Sequence, residues 1–385
     1  MRIVFHALGV LAILLFIIFF FKDALIPFFF TPTQTDIEQN EETESKIRTD
    51  PSNLQSKIPE IIASNLSVPW DVAFLANNEL LITERTGSLI HIDAGGVKTS
   101  IPIPEASSSG EGGLLGLALH PEFFSNRLLY LYMTTDGIDG LINRVVRYYF
   151  ENGSLQNPKT IVDSIPGARF HDGGRIRFGP DGYLYITTGD AGVTAYAQDA
   201  NSLSGKILRL DDDGGVPSDN PFQNEVYSYG HRNPQGLVWD DEGVLWSTEH
   251  GRSGAQSGFD ELNKIEKGGN YGWPDSQGNT VVANTIAPVI HSGSDSTWAP
   301  ASLAYNNGYF FWGGLRGEGI YIAEKKGGDA TLLPPQFFRE YGRIRTTVIG
   351  PDGYLYFTTS NTDGRGRPQN ADDKLYRIHP DALFQ

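Results

Sequence analysis

The heptapeptide GPDGYLY occurs twice, at Gly179–Tyr185 and Gly350–Tyr356, each time inside a longer alternating run: RIRFGPDGYLYITTGD from Arg175 and TVIGPDGYLYFTTS from Thr347. Four other segments share the plan of a β-rich run, a tight turn and a second β-rich run. They are DVAFLANNELLITERTGSLIHID from Asp71, LALHPEFFSNRLLYLYMTT from Leu117, GLVWDDEGVLWSTEHG from Gly236 and SLAYNNGYFFWGGLRGEGIYIA from Ser302. Turns such as PDG, DEG, NNG and NNE suit hairpins because Gly and Asn tolerate positive φ. The flanks are rich in Tyr, Leu, Ile, Phe and Thr, as strands prefer. A unit that recurs six times at spacings of roughly 45 to 65 residues fits four-stranded blades set around an axis. The expected fold class is therefore all-β, a six-bladed β-propeller. The 44 glycines and 12% aromatic content suit many turns and strands. No apolar stripe at helical spacing is sustained beyond the N-terminal segment. Two separate β-domains fit less well, because nothing interrupts the recurrence.

Ahead of the repeats lies MRIVFHALGVLAILLFIIFFF, Met1 to Phe21, flanked by Arg2 and by Lys22 and Asp23. Its apolar run is roughly 19 residues, about what a bilayer-spanning helix needs. No small-x-small cleavage pattern follows, which favours a retained transmembrane helix over a removed signal peptide. Arg2 favours an N-terminus inside and the remainder outside. The next stretch, with TPTQTDIEQNEETESKIRTDPSNLQ at its centre, is polar, acidic and poor in aromatics, the composition of a flexible linker. The expected organisation is an anchor over 1–22, a linker over 23–56 and the propeller over 57–385. The propeller is expected on the extracytoplasmic side of the membrane, or secreted if the N-terminal segment is cleaved.

Charge narrows the function. A net charge of −16 disfavours nucleic acid as a partner. The absence of cysteine excludes disulfides, thiolate metal sites and cysteine nucleophiles. Against this acidic background the arginines at blade entrances stand out. His171 precedes the third unit's first strand and Asp190 follows its second, so one end of a single blade can bring them together. A carboxylate beside an imidazole fixes its tautomer and makes a usable general base. Arg232 and Asn233, in YSYGHRNPQGLVWD, stand just ahead of the fourth unit, where an arginine can meet an anion bidentately. GRIRTT places Arg343 and Arg345 on the same side of a strand entry. Arg316, in GGLRGEG, lies one blade earlier. Arginines gathered at comparable positions imply a bound polyanion, unless nearby acids such as Glu318 and Asp352 neutralise them. The loop TEHGRSGAQSGFDELNKIEKGGNYGWP offers carbonyls and carboxylates of the sort calcium accepts, without EF-hand spacing.

Taken together, GEGGLLGLALHPEF, HDGGRIRFGPDGYLYITTGD, GKILRLDDDGGVPSDNPF, YSYGHRNPQGLVWD, TEHG with DELNKIEKGGNYGWP, and GRIRTTVIGPDGYLYF make the chain resemble the soluble PQQ-dependent aldose sugar dehydrogenases of the glucose/sorbosone dehydrogenase family. The resemblance runs from about Ile58 to His379. It implies His171 as general base, Asp190 as its orienting partner, and Arg232 and Asn233 at the quinone. It implies Arg343 and Arg345, with Arg316, on the carboxylates of PQQ. The backbone carbonyls of Gly251 and Arg252 would bind the cofactor's calcium. Gln198 and Glu111 fall near positions lining the cofactor or sugar pocket. The implied reaction takes the anomeric hydroxyl of an aldose to a lactone by hydride transfer to PQQ, with electrons passed to an external acceptor. Calcium would act as a Lewis acid and Arg232 would stabilise charge. Two residues depart from the family pattern: Glu111 where glutamine is expected, and Arg252 where proline is common. The alternatives are a non-catalytic extracellular propeller that binds a partner, or a metal-dependent lactonase on the same scaffold; the arginine set disfavours both.

Overall fold

The computed structural model describes residues 56–254 and 257–385. The apolar run of Met1 to Phe21 and the linker up to residue 55 lie outside the described residues. Among the described residues no helix is long and apolar enough to cross a membrane.

Six four-stranded antiparallel sheets form six blades. Blade 1 is Pro69–Phe74, Leu80–Glu84, Ser88–Ile92 and Lys98–Pro102. Blade 2 is Leu114–Leu119, Leu128–Asp136, Leu141–Glu151 and Ser154–Pro166. Blade 3 is Ile176–Phe178, Leu184–Thr188, Lys206–Leu210 and Val226–Tyr229. Blade 4 is Pro234–Trp239, Leu245–Glu249, Glu261–Lys264 and Ile290–His291. Blade 5 is Ala304–Asn306, Tyr309–Gly314, Gly319–Lys326 and Asp329–Gln336. Blade 6 takes three strands from the C-terminal part, Ile344–Ile349, Leu355–Thr359 and Leu375–Ile378. Its fourth comes from the start of the folded chain: Glu60–Ala63 pairs with Leu375–Ile378. The ring is thus closed by strand pairing between the two ends of the domain, reinforced by Arg377 Nε to Glu60 Oε2 at 2.7 Å.

The recurring unit is the inner hairpin of each blade. In blade 3 the Gly182 amide donates to the Gly179 carbonyl with Gly182 at φ 82°, and Asp181 Oδ2 accepts Tyr185 O–H at 2.9 Å. In blade 6 Gly353, at φ 78°, donates to Gly350, and Asp352 accepts Tyr356 O–H at 2.9 Å. Blade 4 achieves the same with other residues: Asp240 Oδ2 accepts Trp246 Nε1 at 2.9 Å. In these three turns the acid therefore satisfies the polar atom of an aromatic on the returning strand while its ring stays apolar-packed.

The apolar cores lie between blades. Trp70, Leu115, Tyr132, Ile176 and Ile186 join blades 1, 2 and 3. Phe311, Ile320, Ile344 and Phe357 join blades 5 and 6. Each large side chain buried this way contributes about 2 kcal/mol by leaving water. On the axis, Asp71 is fully buried and meets two arginines of blade 3. Arg175 Nη1 lies 2.6 Å from Asp71 Oδ1 as an ion pair, and Arg177 is bidentate at 2.8 Å. Arg175 also donates to the carbonyls of Gln235 and Ala301 and stacks 4.2 Å over Trp70. Asp71 Oδ2 accepts the Leu117 amide. One buried carboxylate and two guanidinium groups thereby tie together the inner strands or their approaches in blades 1 to 5.

Candidate active site

Chain direction decides where the unusual residues go. Each inner strand runs from one end of the channel to a hairpin at the other, and the second strand returns. Residues just before the first strand and just after the second therefore share one mouth. Glu111, His171, Arg232, Asn233 and Arg343 come from the first class, with Arg345 one residue into its strand; Arg85, Asp190, His250, Gly251 and Arg316 come from the second. A surface groove between Glu79, His91, Phe123 and Arg127 lies at the hairpin end of blades 1 and 2 and holds none of them.

His171 Nδ1 sits 2.7 Å from Asp190 Oδ1. The backbone of His171 is left-handed, with φ 63°, a conformation that a non-glycine residue keeps only when its surroundings impose it. Here the Glu111 carboxylate accepts the His171 amide at 3.1 Å, and the Ala191 amide donates to the His171 carbonyl at 3.2 Å. Gly189 makes room: a Cβ there would lie 1.9 Å from the His171 carbonyl oxygen. Asp190 also accepts the Gly192 amide at 2.8 Å and Trp273 Nε1 at 2.9 Å. Burial alone would raise the Asp190 carboxyl, but the bonds from His171, Gly192 and Trp273 outweigh it and hold it below the usual range. The imidazole thus has one nitrogen fixed on a carboxylate, leaving Nε2 for the mouth.

Arg232 is only 5% exposed. Its amide donates to Glu249, and its guanidinium reaches the His250 carbonyl at 3.3 Å and Ser253 Oγ at 2.7 Å and lies 5.3 Å from the Trp273 ring centre. No carboxylate lies within ion-pair distance of it among the described residues, and burial pulls its pKa down. Asn233 is buried and accepts the Gly173 amide at 2.9 Å, which fixes the glycine turn following His171. Arg316 donates to Ser257 Oγ at 2.9 Å.

The Arg343–Arg345 pair is split in role. Arg343 is committed to Asp363, at 2.8 and 2.9 Å, and to the Leu315 carbonyl. The acid that answers it is neither Glu318 nor Asp352; Asp352 pairs with Arg377 instead. Arg345, 4% exposed, has a long 3.4 Å contact to Ser360 Oγ and no carboxylate within ion-pair distance among the described residues. Burial, followed by repulsion from Arg85, pulls it down to about 9. Glu111 bonds Arg365 at 2.8 Å and the His171 amide; burial would raise it, but Arg365 and His250 help hold it at about 2. It serves as a charged brace rather than a neutral pocket amide. Gln198 is tied to the loop that carries Trp273. Its amide is spent on Asn270 and on the Trp273 carbonyl, so it supports the tryptophan that bonds Asp190.

Gly251 donates its amide to Asp260 Oδ1 at 2.8 Å, and Asp260 is anchored in turn by Thr297, Trp298 and Ala299. A Cβ at position 251 would lie 2.2 Å from the carbonyl oxygens of Gly258 and Phe259, so the turn demands glycine. Among the described residues no carbonyl acceptance engages the Gly251 oxygen, whereas that of Arg252 accepts a long 3.3 Å bond from Gly258. No group of three His, Asp or Glu is placed to hold a metal among the described residues, so any cation held at this turn would rely on backbone oxygen and on oxygens of a ligand.

Several residues of the mouth are silent in the motif reading. Arg85, Asp363 and Arg365 complete the charge cluster; Trp273 completes the Asp190 shell. His250 is half-buried, and its Nε2 is buried without a partner among the groups just described. All but Trp273 would have been found by applying to every unit the rule that paired His171 with Asp190.

Comparison with known proteins follows the same lines. The family model described as Glucose / Sorbosone dehydrogenase matches residues 66–377. The aldose sugar dehydrogenase of Escherichia coli (strain K12) is 34% identical over 342 residues, covering 79% of this chain and 90% of that protein. Quinoprotein glucose dehydrogenase B of Acinetobacter calcoaceticus is 35% identical over 255 residues, 57% of this chain and 52% of that protein. The solved structure of the PQQ-bound form of an aldose sugar dehydrogenase from Streptomyces coelicolor superposes with a TM-score of 0.77 at 39% identity, covering 84% of this chain and 99% of that one.

Proposed function

We propose that this chain, which belongs to the glucose/sorbosone dehydrogenase family, oxidises the C1 hydroxyl of aldose sugars to lactones with PQQ as its cofactor and calcium as the cofactor's metal. The observation that carries the reading is the His171–Asp190 pair at 2.7 Å, set in the same channel mouth as buried guanidinium groups that no carboxylate among the described residues neutralises. Uncompensated buried charge is costly, and an anionic ligand relieves it. PQQ carries three carboxylates and an ortho-quinone, so when bound it supplies both the missing negative charge and the hydride acceptor.

The chain's own groups have distinct parts. His171 Nε2 takes the proton of the sugar hydroxyl, while Asp190 holds Nδ1–H and favours the imidazolium that forms. Trp273 and the Gly192 amide keep Asp190 in place. Arg232 holds a positive charge in a dry site, where it is worth more than in water. Arg345 and Arg316 hold carboxylates, and the Gly251 and Arg252 carbonyls hold calcium. The sugar is thereby oriented against a fixed base, with an external acceptor drawing off the electrons. For the N-terminus we retain the membrane-anchored, extracytoplasmic placement, supported by the apolar run of Met1 to Phe21.

Two measurements test this. Apo-protein supplied with PQQ and calcium should reduce an artificial dye when given aldoses; bound PQQ with no dye reduction across mono- and disaccharides would refute the enzymatic reading. Trp273→Phe should lower kcat by about tenfold while leaving the PQQ dissociation constant within a few fold, because it removes one of the donors that orient Asp190. An unchanged kcat would show that this bond does nothing for the base.

A further inference from the structure

Charge pairing in the sector between blades 6 and 1 leaves a remainder. Four guanidinium groups gather there, those of Arg85, Arg343, Arg345 and Arg365, with two carboxylates, Glu111 and Asp363. Arg365 pairs with Glu111 and Arg343 with Asp363, both at 2.8 Å. Arg85 and Arg345 are left over. Arg85 follows the second strand of blade 1 at the channel mouth. It donates a weak 3.3 Å bond to the Asp363 carbonyl, and its Nε is buried without a partner. Arg345 has its 3.4 Å contact to Ser360 and lies 5.9 Å from the Trp70 ring centre, with no carboxylate within ion-pair distance among the described residues. Of the charged neighbours acting on Arg345, Arg85 is the strongest, and the effect is repulsive. Burial leaves the pKa of Arg85 itself lowered; among its charged neighbours Asp363 comes first and attracts it, while Arg365 and Arg343 repel it. Two like charges held next to each other, Arg345 buried and Arg85 half-buried, each with free N–H groups, make a preformed seat for two negative charges.

We propose that Arg85 is a cofactor-anchoring residue, which with Arg345 forms a two-guanidinium seat for carboxylates of the bound quinone, while Arg343 is turned toward Asp363 and braces the seat from behind. The proposal rests on the PQQ reading above and adds a contact from blade 1 to it. It also makes a prediction of opposite sign from a structural role. An arginine that only holds loops together would destabilise the apo-protein when removed. A member of a repelling pair would not: its removal relieves the apo-protein and harms only the loaded one.

The experiment compares wild type, Arg85→Gln and Arg85→Lys in two readouts: thermal midpoint of the apo-protein, and PQQ affinity by calorimetric titration with calcium present. Arg85→Gln should melt at or above the wild-type midpoint without PQQ, bind PQQ about 10- to 100-fold more weakly, and show a shallower dependence of affinity on salt. Arg85→Lys, which keeps the charge and loses the fork, should recover part of the affinity. Wild-type affinity in Arg85→Gln, or a lowered apo midpoint up to failure to fold, overturns the seat while leaving the PQQ reading intact. No PQQ binding by the wild type overturns both.

Discussion

His171→Ala is expected to reduce kcat for aldose oxidation by about 10³- to 10⁴-fold while the protein still binds PQQ within a few fold of wild type. The separation follows from where the imidazole sits. Its Nδ1 is occupied by Asp190, its backbone is clamped by Glu111 and Ala191, and its Nε2 makes no hydrogen bond among the described residues. None of the buried guanidinium groups depends on it for position, so the anion seat survives its loss. Asp190→Asn should fall between, because an amide can still meet Nδ1 but no longer compensates the imidazolium. It should also move the acid limb of the rate profile, since the wild-type carboxyl is held below its ordinary range and stays charged through neutral pH. Steady-state dye reduction together with PQQ titration checks both variants. Turnover by His171→Ala within tenfold of wild type would remove the imidazole from the chemistry.

Much of this architecture was legible before any coordinates, and the reason is geometric. A hairpin whose turn is PDG or DEG has a fixed length and returns the chain to the end it left, so a residue before the first strand and one after the second must be neighbours. That rule placed His171 beside Asp190 across 19 positions of sequence. It sends Arg232, Arg316 and Arg343 toward the end of the channel that holds His171, and Arg345 follows one residue into its strand. What stayed hidden has two physical sources. Contacts made through a loop's own path, such as Trp273 Nε1 to Asp190 or Gln198 to Asn270, follow no period. Pairing choices among many acids and arginines also cannot be read from spacing. Asp363 takes Arg343 because both flank the first two strands of blade 6, and Arg365 takes Glu111 because blade 2 brings that acid alongside. The closure of blade 6 by Glu60–Ala63 was likewise invisible, since that short strand carries no hairpin of its own.

Asp71→Ala should destabilise the domain by roughly 3–5 kcal/mol, the range for removing one partner of a buried ion pair. Spread over an unfolding entropy typical of about 330 residues, this lowers the thermal midpoint by roughly 5 °C. The loss is large because Asp71 answers two guanidinium groups at once, Arg175 at 2.6 Å and Arg177 at 2.8 Å, on the axis and with side-chain exposures of 0% and 1% for the first pair. Without it Arg175 keeps its carbonyl partners and its stack on Trp70 but has no counter-charge. The contribution has a sign in pH. Burial would raise the Asp71 carboxyl, but Arg175 and Arg177 together outweigh this and hold it below its ordinary 3.8. A carboxyl with a depressed folded pKa stabilises fully above its unfolded pKa and loses that contribution as pH falls through the folded value. The wild type should therefore lose stability below about pH 4 relative to Asp71→Ala, and the gap between the two should narrow with acidification. Asp352→Asn supplies the contrast. It removes a partner from the partly exposed Arg377, with side-chain exposures of 32% and 30%, and should cost less than about 1 kcal/mol. Thermal or urea unfolding of the three proteins at pH 7 and at a series of pH values below about 4 checks the argument. An Asp71→Ala protein as stable as Asp352→Asn at pH 7 would mean that the axial pair does not hold the blades together.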